Sequence, residues 1–321
     1  MLQTEGRYIV LWRSVELRAL VGAPAKTFDS AARRVQLPAM RVPGLLLIVL
    51  LLLHAIPSVA AESRFFTTTD GVRLHYLEAG PPGADTIVFV PGWTMPAWIW
   101  SRQMEAFAAT RHVIAFDPRG QGASDIPRSG YDPLRRGRDL GELIDRLGPR
   151  PVLMVAWSLG VLDTLAYIHS SGDHRIAGLV LVDNSVGENP APVAPPAASA
   201  PRPPHESFLR RFVPAMFHVP QTAAWLDRLI AACLRMPEAA ARSLLAYPVP
   251  RTYWREAVYS TGKPILYVVR PRLAGQAENL VKNHRSAESV TFDTAGHALF
   301  VDEPGRFNAV LADFIRRRIW P

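Results

Sequence analysis

The chain has 321 residues, of which 49% are hydrophobic and 20% are charged, and this composition is typical of a globular protein with a sizeable core. The net charge of +8 is not concentrated in one basic run. Residues 1–41 hold seven basic and three acidic side chains, and the other 280 residues hold 29 basic and 25 acidic side chains. We therefore predict no nucleic-acid partner. The single cysteine, Cys233, excludes an intrachain disulfide and a thiolate metal cluster.

The first sixty residues contain a candidate targeting segment. Residues 44–53 form an apolar block that is preceded by Arg41 and followed by small residues at positions 58 and 60. A positive flank, a short apolar region and small residues before the cleavage point are typical of a secretory signal peptide. We predict a signal peptide over residues 40–61.

A signal peptide belongs at the start of a chain, yet residues 1–39 precede this one and show no helical or strand period. We predict that Met40 is the true start and that residues 1–39 are an untranslated leader. The protein is then exported, periplasmic or secreted, with no stable membrane span after cleavage. The alternative is an uncleaved anchor, but His54 and Pro57 interrupt the run before the roughly 20 apolar residues that a span requires.

The rest of the chain, residues 62–321, alternates strand and helix patterns. Two runs around Asp70-Gly71 predict an antiparallel hairpin, because that turn needs a positive φ. Further apolar runs predict buried strands over residues 86–90, 112–116, 152–156, 177–182, 264–269 and 289–292. Apolar residues at three- and four-residue spacing predict helices over residues 101–110, 135–147, 159–170 and 304–318. This order predicts an α/β fold with a mainly parallel central sheet flanked by helices.

An interval at about residues 185–263 interrupts this alternation. It begins with a Pro/Ala-rich run over residues 189–204 that cannot hold a regular helix. Helical segments follow near residues 205–217, 221–235 and 237–247. We predict a helical lid inserted between strands 6 and 7, with a passive insertion as the alternative.

The sequence Ala156-Trp157-Ser158-Leu159-Gly160 stands where a predicted strand passes into a helix. It resembles the nucleophile elbow Gly-x-Ser-x-Gly of the α/β-hydrolase superfamily, with Ala156 at the first glycine. The resemblance implies that Ser158 is a nucleophile held at the carboxyl edge of the sheet. The alternative is a serine that only caps the helix.

A second resemblance lies after the strand over residues 86–90. Pro91-Gly92-Trp93 is similar to the superfamily's His-Gly-x loop, with Pro91 at the histidine position. It implies an oxyanion hole formed by the main-chain amides of Trp93 and Leu159. The alternative is a simple turn that ends the strand.

The segment from Asp117 to Asp125 resembles the superfamily pattern Asp-x-Arg-Gly-x-Gly-x-Ser-Asp. Its glycines permit a tight loop after the strand, and its charged side chains can hold that loop. We predict structural roles for Asp117, Arg119 and Asp125.

Gly296-His297 is followed by acidic, proline and phenylalanine positions before the last predicted helix, and this order resembles the superfamily's terminal histidine segment. The resemblance implies that His297 is the general base that takes the proton of Ser158. The alternative is a buried histidine with a structural role.

The acid of the triad is the open position. In most of the superfamily it is an Asp just after the strand over residues 264–269, but no carboxylate follows there before Glu278, which falls within the next helix. Some relatives, notably a group of haloalkane dehalogenases, carry the acid at the end of the preceding strand, where this chain has Asp183. We favour Asp183 over Glu278, and a site without a conventional acid remains a third alternative.

The resemblance spans about residues 64–318, apart from the 185–263 interval. It implies a serine hydrolase that cleaves a carboxylic ester or a related acyl compound through an acyl-Ser158 intermediate. The partner is a small-molecule acyl substrate, and no cofactor or metal is implied. Serine at the elbow argues against dehalogenases and epoxide hydrolases, which use Asp there.

Three alternatives remain. Gly92-Trp93 resembles the oxyanion loop of cofactor-free haloperoxidases and perhydrolases, although a proline in place of Thr94 would strengthen that interpretation. A carbon–carbon bond hydrolase or a lactone hydrolase could use the same serine and histidine. A noncatalytic binding protein is the remote alternative. The sequence predicts neither the substrate nor the oligomeric state.

Overall fold

A single sheet of eight strands forms the centre of the protein in a computed structural model that describes residues 61–192, 203–246 and 248–321. The strand order is β1-β2-β4-β3-β5-β6-β7-β8. The strands are β1 (Glu62–Thr67), β2 (Arg73–Ala79), β3 (Thr86–Val90), β4 (His112–Asp117), β5 (Val152–Trp157), β6 (Ile176–Val182), β7 (Ile265–Val269) and β8 (Ala287–Thr291). The β1–β2 and β2–β4 pairs are antiparallel and the other pairs are parallel. The predicted α/β fold and the opening hairpin are confirmed.

The central strands are buried on both faces. Every residue of β3, β4, β5 and β7 is buried, as expected for parallel strands that are covered by helices on both sides. The register places Trp157 of β5 opposite Val182 of β6, and Val182 opposite Val268 of β7. The residues that follow these three strands therefore meet at one edge of the sheet.

The helices outside the insertion are α1 (Ser101–Phe107), α2 (Pro133–Arg146), α3 (Leu159–Ser171), α8 (Ala274–Asn283), α9 (Leu299–Asp302) and α10 (Pro304–Phe314). The start of α2 follows from its sequence, because the Asp132 side chain accepts a hydrogen bond from the amide of Arg135 and Pro133 occupies the first turn. The predicted helix over residues 304–318 ends as an α-helix at Phe314 and continues as one π-helical turn.

Among the described residues between β6 and β7 there are four α-helices: α4 (His205–Ala215), α5 (Ala223–Leu234), α6 (Glu238–Ser243) and α7 (Arg251–Ser260). We call them the inserted helices. The first three correspond to the predicted segments, and α7 was not predicted. The predicted leader and the predicted signal peptide up to residue 60 lie outside the described residues. In the described ranges, no helix has the length and apolar character that a membrane crossing requires.

Candidate active site

Ser158 stands in the turn between β5 and α3, with φ 53° and ψ −122°, a strained conformation for a residue other than glycine. Its amide donates to Val182 O at 2.9 Å, which ties the turn to β6. The turn is crowded, because a Cβ on Gly160 would lie 2.7 Å from the main-chain oxygens of Val90 and Pro91. The Ser158 side chain caps no helix amide, so the helix-capping alternative receives no support.

His297 lies between Ser158 and Asp183. Its Nε2 is 2.9 Å from Ser158 Oγ, and its Nδ1 is 2.6 Å from Asp183 Oδ2. The main-chain oxygen of His297 accepts a hydrogen bond from Trp157 Nε1 at 2.8 Å, which fixes the loop. The structure thus brings together the predicted nucleophile, the predicted base and the favoured acid in the order that proton transfer from a serine requires.

The Asp183 side chain is 0% exposed and has two arginine neighbours besides His297. Arg270 donates to Asp183 twice, from its amide to Oδ1 at 3.1 Å and from Nε to Oδ2 at 2.7 Å. Arg272 Nη2 is 3.8 Å from Oδ2. Burial acts to raise the pKa of Asp183, but the hydrogen bond to His297 and the charges of His297 and both arginines outweigh burial and hold that pKa below its usual value. Asp183 is therefore a carboxylate at neutral pH.

The structure does not bring Glu278 to His297. Glu278 is exposed on α8, and within the described ranges it makes no hydrogen bond or ion pair. The end of β7, where most relatives carry the acid, is occupied by Arg270 instead. The sequence showed that no carboxylate stands at this position, but it did not indicate that an arginine there would pair with Asp183.

The loop after β3 passes close to Ser158. A Cβ on Gly92 would lie 3.0 Å from Ser158 Cβ, so a side chain at position 92 would press on the serine and glycine eases this approach. Across the residues that the structure describes, neither the amide of Trp93 nor that of Leu159 donates to a protein acceptor. The arrangement leaves two predicted donors available beside the serine.

The Trp93 ring connects this loop to the inserted helices. Its Nε1 donates to the main-chain oxygen of Ala241 at 2.7 Å. Edge-to-face contacts join it to Phe208 and Phe212 of α4, with ring centroids 6.0 and 5.5 Å apart. The inserted helices therefore contribute an aromatic wall next to the loop.

The carboxylate of Asp302 joins the histidine loop to the insertion. It accepts hydrogen bonds from the amides of Gly296 at 2.7 Å, His218 at 2.8 Å and Val219 at 3.2 Å. A Cβ on Gly296 would lie 2.3 Å from Met216 O, so the two segments pack backbone against backbone. Sequence analysis missed this role, although the acidic position after Gly296-His297 was its visible signal.

The Asp117–Asp125 segment makes structural contacts. Asp117 accepts hydrogen bonds from the amides of Ala97 at 2.5 Å and Ala123 at 2.8 Å. Arg119 pairs with the buried Asp139 at 2.6 Å. Asp125 accepts from the amide of Arg73 at 3.1 Å. These contacts support the loop that follows β4.

Comparison with known proteins gives one matching family model, described as "Alpha/beta hydrolase family", over residues 87–310. Among curated proteins, the non-heme chloroperoxidase of Streptomyces lividans is 34% identical over 117 residues, 36% of this chain and 42% of that protein. Epoxide hydrolase A of Mycobacterium tuberculosis is 30% identical over 166 residues, 50% of this chain and 48% of that protein. The chain thus spans less than half the length of these two relatives.

Solved structures match over more of the chain. A putative aryl esterase from Burkholderia cenocepacia is 27% identical with a TM-score of 0.68, and the match covers 79% of this chain and 98% of that one. An esterase from Exiguobacterium antarcticum is 20% identical with a TM-score of 0.67, which shows the shared fold alone. The relatives include esterases, epoxide hydrolases and chloroperoxidases, and all three groups are enzymes.

Proposed function

The chain belongs to the alpha/beta hydrolase family, and on that premise we propose that it is a serine hydrolase that cleaves a carboxylic ester or a related acyl compound. The observation that carries the proposal is the hydrogen-bonded series Ser158–His297–Asp183, with separations of 2.9 and 2.6 Å. Serine at the elbow argues against epoxide hydrolysis, because the family's epoxide hydrolases use Asp as the nucleophile.

The geometry supports a two-step reaction. His297 Nε2 takes the proton of Ser158 as Oγ attacks the acyl carbon, and the amides of Trp93 and Leu159 bind the oxygen that becomes negative. The intermediate then collapses, the C–O bond to the alcohol breaks, and His297 returns the proton to the leaving oxygen. Water, deprotonated by His297, next attacks the acyl-Ser158 ester. The bond between the acyl carbon and Oγ then breaks, His297 returns the proton to Ser158 Oγ, and the carboxylic acid is released.

Asp183 has a supporting part in both steps. It accepts a hydrogen bond from Nδ1–H of His297, which leaves Nε2 unprotonated and directed at Ser158. Its negative charge also stabilises the imidazolium that forms during each attack. Because the Asp183 side chain is 0% exposed, little water screens that charge.

We also propose that the inserted helices form a lid over the site. Phe208 and Phe212 of α4 stand against the Trp93 ring, directly beside one of the oxyanion donors. Aromatic side chains at this place favour an apolar acyl group. Activity on p-nitrophenyl esters of increasing acyl length tests this, and an unchanged KM from acetate to octanoate argues against an apolar acyl site.

Labelling with a fluorophosphonate probe tests the proposed nucleophile without knowledge of the substrate. We expect wild-type protein to be labelled and to hydrolyse p-nitrophenyl acetate, and Ser158→Ala to do neither. Ser170→Ala is the matched control, because the Ser170 hydroxyl donates only within α3, to Ala166 O at 2.9 Å. Labelling that survives in Ser158→Ala contradicts the assignment of the nucleophile.

A perhydrolase is the second candidate, favoured by the 34% identity to the Streptomyces lividans chloroperoxidase. Hydrogen peroxide would replace water in the second step and release a peracid from the same acyl enzyme. Thr94 stands where a proline would strengthen this interpretation. A halide-dependent peroxide assay with acetate as acyl donor tests it, and halogenation that does not require Ser158 rules it out.

Export through a signal peptide that begins at Met40 is likewise a proposal. It rests on the apolar block over residues 44–53 behind Arg41. Amino-terminal sequencing of the native protein tests it, with a mature start near Ala61 or Glu62 as the expected result. Recovery of residues 1–39 on a cytoplasmic product contradicts it.

A further inference from the structure

Gln121 is a buried side chain that the reaction described above does not use. It is 1% exposed and lies in the loop after β4. Its Nε2 donates to two main-chain oxygens, Gly92 O and Met95 O, each at 2.9 Å. The same turn is closed by the amide of Met95, which donates to Gly92 O at 3.2 Å. Gln121 therefore holds both ends of the turn that contains Trp93.

The contact with Gly92 O acts directly on the proposed oxyanion hole. Gly92 C=O and Trp93 N–H belong to one planar peptide group and point in opposite directions. A hydrogen bond that holds the oxygen consequently fixes the direction of the N–H. Without it, only the longer hydrogen bond from the Met95 amide, at 3.2 Å, would oppose a rotation of this peptide that turns the Trp93 donor away from the oxygen bound beside Ser158.

A buried cation fixes Gln121 in turn. Arg136 Nη1 and Nη2 each lie 3.4 Å from Gln121 Oε1, and Arg136 makes two hydrogen bonds to Asp163, at 2.9 and 2.5 Å. Arg136 can only donate hydrogen bonds, and the carbonyls of Gly92 and Met95 can only accept them. One orientation of the Gln121 amide therefore satisfies every contact. The positive charge and the aligned amide and peptide dipoles polarise one another and strengthen Trp93 N–H as a donor.

We propose that Gln121 is a positioning residue for the oxyanion hole, and that Arg136, neutralised by Asp163, holds Gln121 in place. The inference rests on the proposed function, because it assigns Trp93 N–H to an oxyanion. It predicts that loss of the Gln121 amide weakens binding of the tetrahedral species more than binding of the substrate.

Gln121→Met tests the proposal, with Gln103→Met as the matched control. Gln103 is 0% exposed and also donates twice, to Phe300 O and to Asn308 Oδ1, both at 3.1 Å, but it does not contact the Trp93 turn. We expect kcat for p-nitrophenyl acetate to fall by about 10- to 100-fold in Gln121→Met, somewhat less than for outright loss of an oxyanion donor. KM changes by less than about threefold, and Gln103→Met keeps kcat within about twofold.

A second readout isolates the oxyanion. A trifluoromethyl ketone binds serine hydrolases as a tetrahedral adduct, so its inhibition constant should rise in Gln121→Met by about the factor that kcat loses. Equal losses of kcat in the two methionine variants, or an unchanged inhibition constant, overturn the proposal. If Gln121→Met does not fold, Arg136→Lys takes its place, because one ammonium can keep Asp163 but cannot also reach Gln121.

For Arg136→Lys, a fall in kcat of at least about threefold at constant KM supports the proposal, and unchanged kinetics overturn it. Failure of the proposed function is recognised separately. Wild-type protein that is neither labelled by a fluorophosphonate nor active on esters refutes the serine hydrolase and, with it, this positioning role. An active wild type with a normal Gln121→Met variant refutes the positioning role alone.

Discussion

Replacement of Asp183 by asparagine keeps the shape of the side chain and removes its charge. In the wild type, Asp183 Oδ2 accepts from His297 Nδ1 at 2.6 Å and from Arg270 Nε at 2.7 Å. The asparagine NH2 group cannot accept a hydrogen bond from His297 Nδ1–H, so when it faces the imidazole the ring proton must move to Nε2. Nε2 then donates to Ser158 and no longer accepts its proton.

The loss is expected to be large. A triad acid exchanged for its amide lowers turnover by roughly ten thousandfold, about 5.4 kcal/mol at about 1.36 kcal/mol for each factor of ten. The structure favours a loss of at least this size, because Asp183 is fully buried and Arg270 and Arg272 would remain beside the buried amide without their counter-charge. The Arg270 contact also contributes to folding, so the free energy of unfolding falls by about 1 to 3 kcal/mol.

The assay is p-nitrophenyl acetate hydrolysis, with urea unfolding of each variant to show that the protein is folded. Glu278→Gln is the matched control, since Glu278 is exposed on α8 and does not contact His297, and its kcat should stay within about twofold. Activity of Asp183→Asn within tenfold of wild type refutes the reasoning. A large loss in Glu278→Gln instead shows that the acid lies there.

Four further predictions follow from the structure. Ser158→Ala lowers kcat by roughly a millionfold while the protein still melts cooperatively, and residual ester hydrolysis above a few per cent contradicts it. The pKa of Asp183 is depressed in the folded state, so its ionised form stabilises the fold above the unfolded value of about 3.9, and this contribution is lost as the pH falls through the lower folded pKa. In urea titrations the stability deficit of Asp183→Asn should therefore shrink as the pH falls from 5 towards 2, and a deficit undiminished at pH 2 contradicts this. Burial raises the pKa of Cys233 to about 12, so iodoacetamide at pH 8 should modify the thiol only after the protein unfolds. Rapid modification of the folded protein would show instead that the thiol is accessible. Gly160→Ala places a Cβ 2.7 Å from two main-chain oxygens, so it should cost about 1 to 3 kcal/mol of stability and slow fluorophosphonate labelling. The control is Gly305→Ala, whose Cβ meets no atom within 4 Å. Equal effects of the two substitutions contradict this prediction.

Ser158 and His297 could be proposed as nucleophile and base from sequence because each stands in a short contiguous motif. Ser158 follows an apolar strand and precedes a helix, and His297 precedes the last helix, so local sequence carries both signals. The acid has no such motif. Asp183 and Glu278 could be ranked only by analogy, because the deciding fact is the strand register that sets Val182 opposite Val268 and turns Asp183 towards His297.

The contacts of the supporting residues Gln121 and Asp302 could not be predicted from the sequence for a related reason. Gln121 and Asp302 contact main-chain groups 29 and 84 residues away. Nearly every residue carries such groups, so the sequence around the partner does not mark the contact. The α7 helix is a different case. Trp254, Ala257 and Val258 give it a buried face at helical spacing, but the predicted insertion was divided into three helical segments that end before it.

The Asp302 contacts bear on how this protein could diverge. The carboxylate binds the insertion through the amides of His218 and Val219, which every amino acid except proline provides. Side chains of the inserted helices can therefore change in evolution, or be exchanged in the laboratory, without loosening the loop of His297. What such an exchange must preserve is the path of the backbone at residues 216–219. The side chains of the proposed lid and the position of the proposed base can in this way vary separately, even though both segments meet at a single carboxylate.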